Sequence, residues 1–399
     1  MDVKVYRDFR LWFIVFTVWC IAFAAVLGVD VFNPQLYRES FRFVVPFTFL
    51  VVSSSLYYPE NLGRPIKYIC ASLAVLGLLF LLFTMFIHLH PYDTLLWRRP
   101  AGGPPVYRGP FASHQSTGGF YAALTMLQLG AFLNENGRGI KAALLAGALS
   151  SSICLLYAAS RSFSLGVLSV AGIMLLSLCA GYLRGKTKPD RLKIFLLAAV
   201  ALISLGAVLR VEMPESEEES GIRTKNVVAR LELWKMAVKD FKRSPFIGIG
   251  PSRFDDNPEV ARTLPQEKGE MKNIYSSVLS QNKKSRYLDV PFFGVDISPF
   301  TLHSGRHAHS VYLNVLAEGG VLLFAVFILM YFKLARRLWE FRKKESGGER
   351  GLAQGSLCAI ACVSIASFFT AGLLVVTPMV TIFCVAGYLL RPGRPVTGG

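Results

Sequence analysis

Residues 163–183 read FSLGVLSVAGIMLLSLCAGYL, a run of 21 residues without a charged side chain. An uncharged run of about 18 residues or more is long enough to cross a lipid bilayer as a helix. Such runs recur along the 399 residues, of which 53% are hydrophobic and 17% charged, whereas soluble domains have about 25% charged residues. A water-soluble fold cannot bury so much apolar surface. The pattern therefore predicts a polytopic membrane protein.

Ten apolar runs predict ten membrane-spanning helices, since backbone groups left unpaired in lipid are too costly for most other structures. The fold class expected is all-α, with residues 1–210 as an N-terminal membrane region of seven helices, residues 211–309 as one large loop, and residues 310–399 as a C-terminal region of three helices. The predicted spans are 11–29, 41–57, 66–89, 117–133, 140–160, 163–183, 192–210, 310–332, 352–371 and 373–390. The first run is interpreted as a retained span because no cleavage pattern of small residues follows it.

Basic residues predict the orientation of these spans. The termini and short loops on one side carry 21 Lys and Arg residues, whereas the short loops on the opposite side carry six. The positive-inside rule places the first side in the cytoplasm, together with both termini, and the loop at 211–309 outside. The net charge of +17 follows from this distribution, so no nucleic-acid partner is predicted.

Two outward loops have distinct compositions. The large loop carries 15 basic and 14 acidic residues and begins with an acidic run at 215–219, which is typical of a solvated, flexible segment. Residues 226–243 then show helical spacing, and the proline and glycine residues of 245–251 predict a turn that ends this helix. The other outward loop, 91–116, is rich in Gly and Pro and is a candidate for re-entering the membrane.

All six histidines fall on the outward side or at its membrane edge under this topology. Neutral histidine is well suited to accept a proton near pH 7. Three of them, His303, His307 and His309, cluster where the large loop meets the span at 310–332, and three interpretations of the cluster stay open: a general base, a polar cap of the interface and a metal site. No Asp, Glu or Cys stands beside these histidines at ligand spacing, so the prediction is that no metal is bound.

Three charged residues outside this cluster are candidates for chemistry. Arg161 lies at the outer mouth of a helix pair, where it either snorkels to lipid headgroups or belongs to a site. Arg230 lies on the predicted loop helix, and by itself it has the character of a solvated surface residue. Glu318 lies about 13 Å along the helix from His309 and suits either a functional acid or a structural partner. No phosphate-binding glycine loop occurs, so no nucleotide cofactor is predicted.

Several motifs resemble one known family. His309 and Ser310, followed after nine residues by Gly320, resemble the His-[Asn/Ser/Gln]-x9-Gly signature of the O-antigen ligase and polymerase superfamily. Arg230 and Trp234, followed by SPFIGIG at 244–250, resemble the Arg-x-x-x-Trp and Pro-x-x-Gly-x-Gly elements of that family. Residues 159–162 resemble its Ser-Arg element at a helix mouth, and residues 108–115 resemble its Gly-x-Phe-x-Asn-x-Asn motif, with His114 where Asn is usual.

The resemblance implies an inverting glycosyltransferase that needs no metal and has a GT-C-like membrane fold in the bacterial inner membrane. Its donor would be a glycan linked to undecaprenyl diphosphate, and its acceptor would be lipid A–core sugar, another glycan chain or a protein hydroxyl. Arg161 and Arg230 match the arginines that hold the diphosphate, and His309 matches the catalytic base. The supporting candidates are His307, Arg306, Glu318 and His114. A transporter of polyprenyl-linked glycans is the alternative of another class, although two related halves with broken helices are not evident.

Overall fold

The computed structural model describes most of the chain from residue 114 onward and a few shorter stretches before it. The described residues are 72, 75–79, 81–82, 85, 97–98, 106–107, 114–158, 160–184, 191–210, 217–250, 254, 308, 310–370 and 376–390. The predicted spans at 11–29 and 41–57 lie outside the described residues, and the span at 66–89 is described only in part, where its residues are helical.

The described part of the chain is helical apart from one small strand pair. Its helices are α1 (His114–Asn134), α2 (Arg138–Tyr157), α3 (Arg161–Leu183), α4 (Arg191–Arg210), α5 (Glu217–Arg243), α6 (Val311–Lys344), α7 (Gly347–Ala366) and α8 (Val376–Leu389). Strands β1 (Trp97–Arg98) and β2 (Val106–Tyr107) pair antiparallel within the segment 91–116, which the sequence predicts to be an outward loop. The last seven predicted spans each fall on one of these helices.

Hydropathy and burial divide the helices between lipid-facing and central positions. By length and composition, four are apolar enough to cross a membrane: α2, α3, residues 191–209 of α4, and α6. Helix α1 instead lies at the centre, because every residue from 117 to 132 is buried by its neighbours. A helix surrounded by protein can carry polar side chains such as Gln128, whose Oε1 accepts a 3.0 Å hydrogen bond from Ser151 on α2.

Helices α1 and α7 pack through small residues near the predicted cytoplasmic end. A Cβ added at Gly130 would collide with the backbone of Gly355, and one added at Gly351 would lie 2.9 Å from the Gly130 carbonyl. Gly351 and Gly355 form a G-x-x-x-G pattern, which lets helix backbones approach closely in membranes. The Asn134 amide donates a 3.0 Å hydrogen bond to Gln354 beside this contact. The two helices therefore run antiparallel in close contact.

The opposite end of the bundle gathers several helix starts. A Cβ added at Gly118 of α1 would collide with Ser160, just before α3, and one added at Gly119 would lie 2.9 Å from Phe163 and 3.0 Å from Pro378 of α8. The Val311 amide at the start of α6 donates a 3.0 Å hydrogen bond to the carbonyl of Ser367, just after α7. The first turns of α1, α3, α6 and α8 and the end of α7 therefore meet, and we call this assembly the rim.

Helix α6 bends at Gly320, where the backbone has a φ of 63° and a ψ of −170°. A straight helix of its 34 residues would be about 51 Å long, whereas the 20 residues of α7 span about 30 Å. Both ends of α6 lie beside the ends of α7, so α6 has to bend. The predicted span at 310–332 is thus part of a longer helix with a short first segment, 311–319, and a second segment, 321–344.

Two local predictions are corrected. The acidic run was predicted to be flexible, but residues 217–219 form the first turn of α5, which begins nine residues before the predicted start at 226. Acidic residues are favourable in a first helical turn because their negative charge interacts with the positive end of the helix dipole. The predicted turn after this helix is confirmed, since α5 ends at Arg243 and residues 244–247 form a turn.

Candidate active site

Arg161 is the first residue of α3, and it stands on the rim. The preceding Ser160 is buried, because Gly118 of α1 presses directly against it, whereas Arg161 itself is exposed. His114 begins α1, only one helical turn from Gly118, so the two sequence-predicted residues start neighbouring helices at one end of the bundle. An exposed guanidinium at a helix start adds its charge to the positive end of the helix dipole.

Arg230 lies on α5, which packs against the start of α6. Met236 and Ala237 of α5 share one buried cluster with Ala308 and Ala317. Arg230 is exposed and lies six residues before Met236, about 9 Å along the helix. Ala308 directly precedes His309. The chain at Ala308 therefore lies against α5, the helix that carries Arg230.

A backbone exchange joins the turn after α5 to the bend of α6. In an unbroken helix the amides of Val321 and Leu322 would donate to the carbonyls of residues 317 and 318. Here these amides donate instead to the Pro245 and Phe246 carbonyls at 2.8 and 3.3 Å. The carbonyls of 317 and 318 accept from the amides of Ile249 and Gly250 at 2.9 and 3.0 Å. The turn therefore pairs all four of these backbone groups; we call this four-bond contact the clamp.

Glycine is required on both sides of the clamp. Gly248 has a φ of 72° and Gly250 a φ of 106°, values that residues other than glycine rarely adopt. A Cβ at Gly248 would also collide with the Glu318 carbonyl, and one at Gly320 would collide with the backbone of Phe246 and Ile247. The Pro-x-x-Gly-x-Gly and His-x10-Gly elements of the sequence thus meet in space through their glycines.

Glu318 contributes its backbone to the clamp, and its side chain is half-buried. The sequence placed this residue about 13 Å along the helix from His309. Since α6 bends at Gly320, that distance follows the short first segment and is not a depth in the membrane. The residue takes part in a further interaction within the protein, and the choice between a functional acid and a structural partner stays a prediction.

The predicted base and its neighbours lie outside the described residues. These are His303, Arg306, His307 and His309, although the flanking Ala308 and Ser310 are described and buried. Arg108 also lies outside them, and of His114 only the backbone position is described. Among the described residues, no group of three His, Cys, Asp or Glu side chains is placed to hold a metal ion. The roles of these residues therefore stay predictions.

Two buried polar residues beside the site were not predicted from the sequence. Asn314 lies one turn after Ser310 on α6 and is 4% exposed, and its Oδ1 atom has no hydrogen-bond partner among the described residues. Asp240 on α5 is 1% exposed and lies 3.4 Å from Arg243. The available signal for Asn314 was an isolated amide in an apolar run directly after the histidine cluster.

The apolar helices define a membrane protein, and the candidate site lies at the edge of the bundle, where α5 docks on α6. Residues 146–328 match the family model described as Wzy_C, O-antigen ligase, and this range includes Arg161, Arg230, His309 and the clamp. This match supports the O-antigen ligase superfamily, whose members are glycosyltransferase-like enzymes of lipopolysaccharide biosynthesis. No curated protein matches the chain. The resemblance drawn from the motifs is confirmed.

Proposed function

We propose that this protein transfers a glycan from undecaprenyl diphosphate to an acceptor hydroxyl at the periplasmic face, as an O-antigen ligase does. The acceptor oxygen forms a bond to the anomeric carbon of the glycan, and the bond from that carbon to the diphosphate oxygen breaks. Undecaprenyl diphosphate leaves with the bonding electrons, and the hydroxyl proton passes to His309. One displacement inverts the anomeric configuration, and no metal takes part.

The observation that carries this proposal is the packing of Ala308 with Met236 and Ala237. It holds the segment next to His309 against the helix of Arg230. A general base has to stand within hydrogen-bond reach of the hydroxyl that it deprotonates. The diphosphate leaves from the opposite side of the anomeric carbon, and cations there stabilise its charge. Two elements far apart in sequence, the end of the large loop and α5, are therefore adjacent in the way that such a reaction needs.

The two arginines suit a diphosphate leaving group. Arg161 and Arg230 are exposed, so a ligand can reach them. A guanidinium can donate two parallel hydrogen bonds to phosphate oxygens, and fixed cations stabilise the charge that develops as the glycan departs. Arg161 begins α3 beside the start of α1, where helix ends provide further positive potential for an anion.

The position of the site also suits a lipid-linked donor. The rim lies at one end of helices that are long and apolar enough to cross a membrane. A polyprenyl chain stays within the bilayer while its diphosphate and glycan extend into the headgroup region. A site at the bundle edge can bind both parts, whereas a site in a distant soluble domain cannot.

Deletion of the gene in its own host tests this reaction. Loss of the transferase should cause glycans on undecaprenyl diphosphate to accumulate on the periplasmic side, as measured by mass spectrometry of extracted lipids after sided labelling. Re-expression should clear them and yield glycan on lipid A–core. Longer lipid-linked chains instead would indicate a polymerase, and accumulation on the cytoplasmic side would indicate a transporter. Unchanged levels of lipid-linked glycan would contradict a role in glycan transfer.

Reporter fusions test the sidedness on which the mechanism depends. Fusions at Lys188 and Lys344 should report a cytoplasmic location, and a fusion near Asn257 should report a periplasmic one. A cytoplasmic signal at Asn257 would place the large loop on the wrong side for a donor in the outer leaflet.

A further inference from the structure

We propose that the clamp is a positioning device, which fixes Arg230 relative to the start of α6 and thereby sets the geometry for transfer. Gly248, Gly250 and Gly320 act in this account through Arg230 and do not touch the substrate. This inference rests on the proposed function for its readout, although the clamp itself is defined by the structure alone.

The clamp exchanges hydrogen bonds without losing any. The bend at Gly320 removes two helical partners, and the turn at 245–250 replaces them with four bonds across the contact. Backbone groups left unpaired in a buried or membrane setting are costly, so the bend and the turn stabilise each other. Neither arrangement is expected to persist without the other.

Rigid elements connect the clamp to both halves of the site. Arg230 and the turn are joined by continuous helix up to Arg243, about 20 Å in length. On the other side, continuous helix runs from Val311 to Gly319, and Val311 is fixed to the end of α7. A shift at the clamp therefore moves Arg230 against the start of α6, because no flexible segment between them absorbs it.

The second contact between α5 and the start of α6 is an apolar cluster. It consists of Met236, Ala237, Ala308, Ala317 and Phe254, with the partly buried Leu233, Ile249 and Leu313 packed against them, and this cluster is separate from the main core of the bundle. Apolar contacts are non-directional, so they allow sliding more readily than directional hydrogen bonds do. The clamp thus adds directional bonds that help to define the position of α5.

A double-mutant cycle on the purified full-length protein in lipid nanodiscs tests this role. The donor is lipid-linked glycan extracted from the deletion strain, and the readout is release of undecaprenyl diphosphate. Gly248→Ala should lower kcat per folded molecule by about a hundredfold, the scale of a misplacement of about 1 Å. In an Arg230→Ala background the same substitution should cost less than about twofold, because its effect acts through the missing side chain.

Matched variants separate positioning from folding. Gly347 also has a positive φ, of 58°, but a Cβ there meets nothing within 4 Å, so Gly347→Ala should keep wild-type kcat. If Gly248→Ala does not fold, Pro245→Gly takes its place in the double-mutant cycle. This substitution loosens the same turn without adding an atom, and a smaller loss of kcat is expected.

The outcomes are distinct for the two proposals. An inactive wild-type protein would contradict the proposed function. An active wild type combined with full, multiplicative losses from Gly248→Ala and Arg230→Ala would overturn the positioning role, as would wild-type kcat in Gly248→Ala. Loss of the Gly248→Ala effect in the Arg230→Ala background supports it.

Discussion

Glycine makes close contacts between helices in two regions of this protein, but it does so for different physical reasons. Between α1 and α7, Gly130, Gly351 and Gly355 keep ordinary helical backbone, and only their lack of a side chain matters. Between α5 and α6, Gly248 and Gly320 lack a side chain and also adopt positive φ, and α6 is interrupted at Gly320. The first contact brings two regular helices together, whereas the second gives up regular structure.

This difference separates the scaffold from the candidate site. The α1–α7 contact lies at the end of the bundle far from the rim, and close helix packing there contributes to stability in a membrane. The α5–α6 contact lies beside the segment that carries His309. An irregular backbone is costly and persists where the surrounding structure fixes it, which is typical of functional sites. Substitutions in the first region should therefore reduce the amount of folded protein, and those in the second should reduce activity per folded molecule.

Removal of the predicted base should have the largest effect on the second region. His309→Ala is expected to abolish detectable transfer while membrane expression stays normal, since general base catalysis contributes about 10²–10⁴-fold. His303→Ala should retain substantial activity, and His307→Ala should fall between them. The measurement is donor turnover normalised to folded protein. An active His309→Ala with an inactive His307→Ala would show that the base is assigned to the wrong histidine.

The arginines should give the next largest effect. Arg230→Ala is expected to slow transfer by tens- to hundreds-fold, about 2–4 kcal/mol of transition-state stabilisation, while the protein still inserts. Arg161→Lys keeps the charge but loses the planar pair of donors, so it should also impair transfer strongly. Turnover at saturating donor measures both. Wild-type turnover in Arg230→Ala would show that Arg230 is a solvated surface residue and does not bind the diphosphate.

A substitution in the scaffold should leave the chemistry nearly unchanged. A Cβ at Gly355 would lie 2.7 Å from the Leu127 carbonyl, so Gly355→Ala should reduce stability by about 1–3 kcal/mol. Turnover per folded molecule should stay within about twofold of wild type, because packing at this end does not reach the rim. Thermal unfolding in detergent measures the stability. Gly139→Ala on α2 is the control, since its Cβ meets nothing within 4 Å.

Sequence predicted the parts of the fold that depend on composition. Long apolar runs located the last seven predicted spans, because lipid selects for uncharged helices regardless of neighbours. The turn after α5 was equally evident from Pro245 and the glycines after it. The bend in α6 was not, because Gly319 and Gly320 lie in an apolar run without any proline, and the bend depends on a partner more than 70 residues earlier in the chain.

The candidate site shows the same division. Arg161, Arg230 and His309 were found through motif resemblance, since arginine and histidine are the residue types that diphosphate binding and proton transfer need. Their assembly depends on tertiary packing, such as the burial of Ala308 against α5, which no local pattern encodes. Asn314 was missed for a related reason, because one amide in an apolar stretch gains meaning only from its burial.

The most direct test of the central claim is transfer by the purified wild-type protein in nanodiscs that contain EDTA. The donor is the lipid-linked glycan of the deletion strain, and the acceptor is lipid A–core from the same cells. We expect equal amounts of undecaprenyl diphosphate and glycosylated acceptor, with the anomeric configuration inverted, and no product from His309→Ala. Activity that disappears in EDTA and returns with one divalent ion would contradict this account, because His303, His307 and His309 would then be metal ligands.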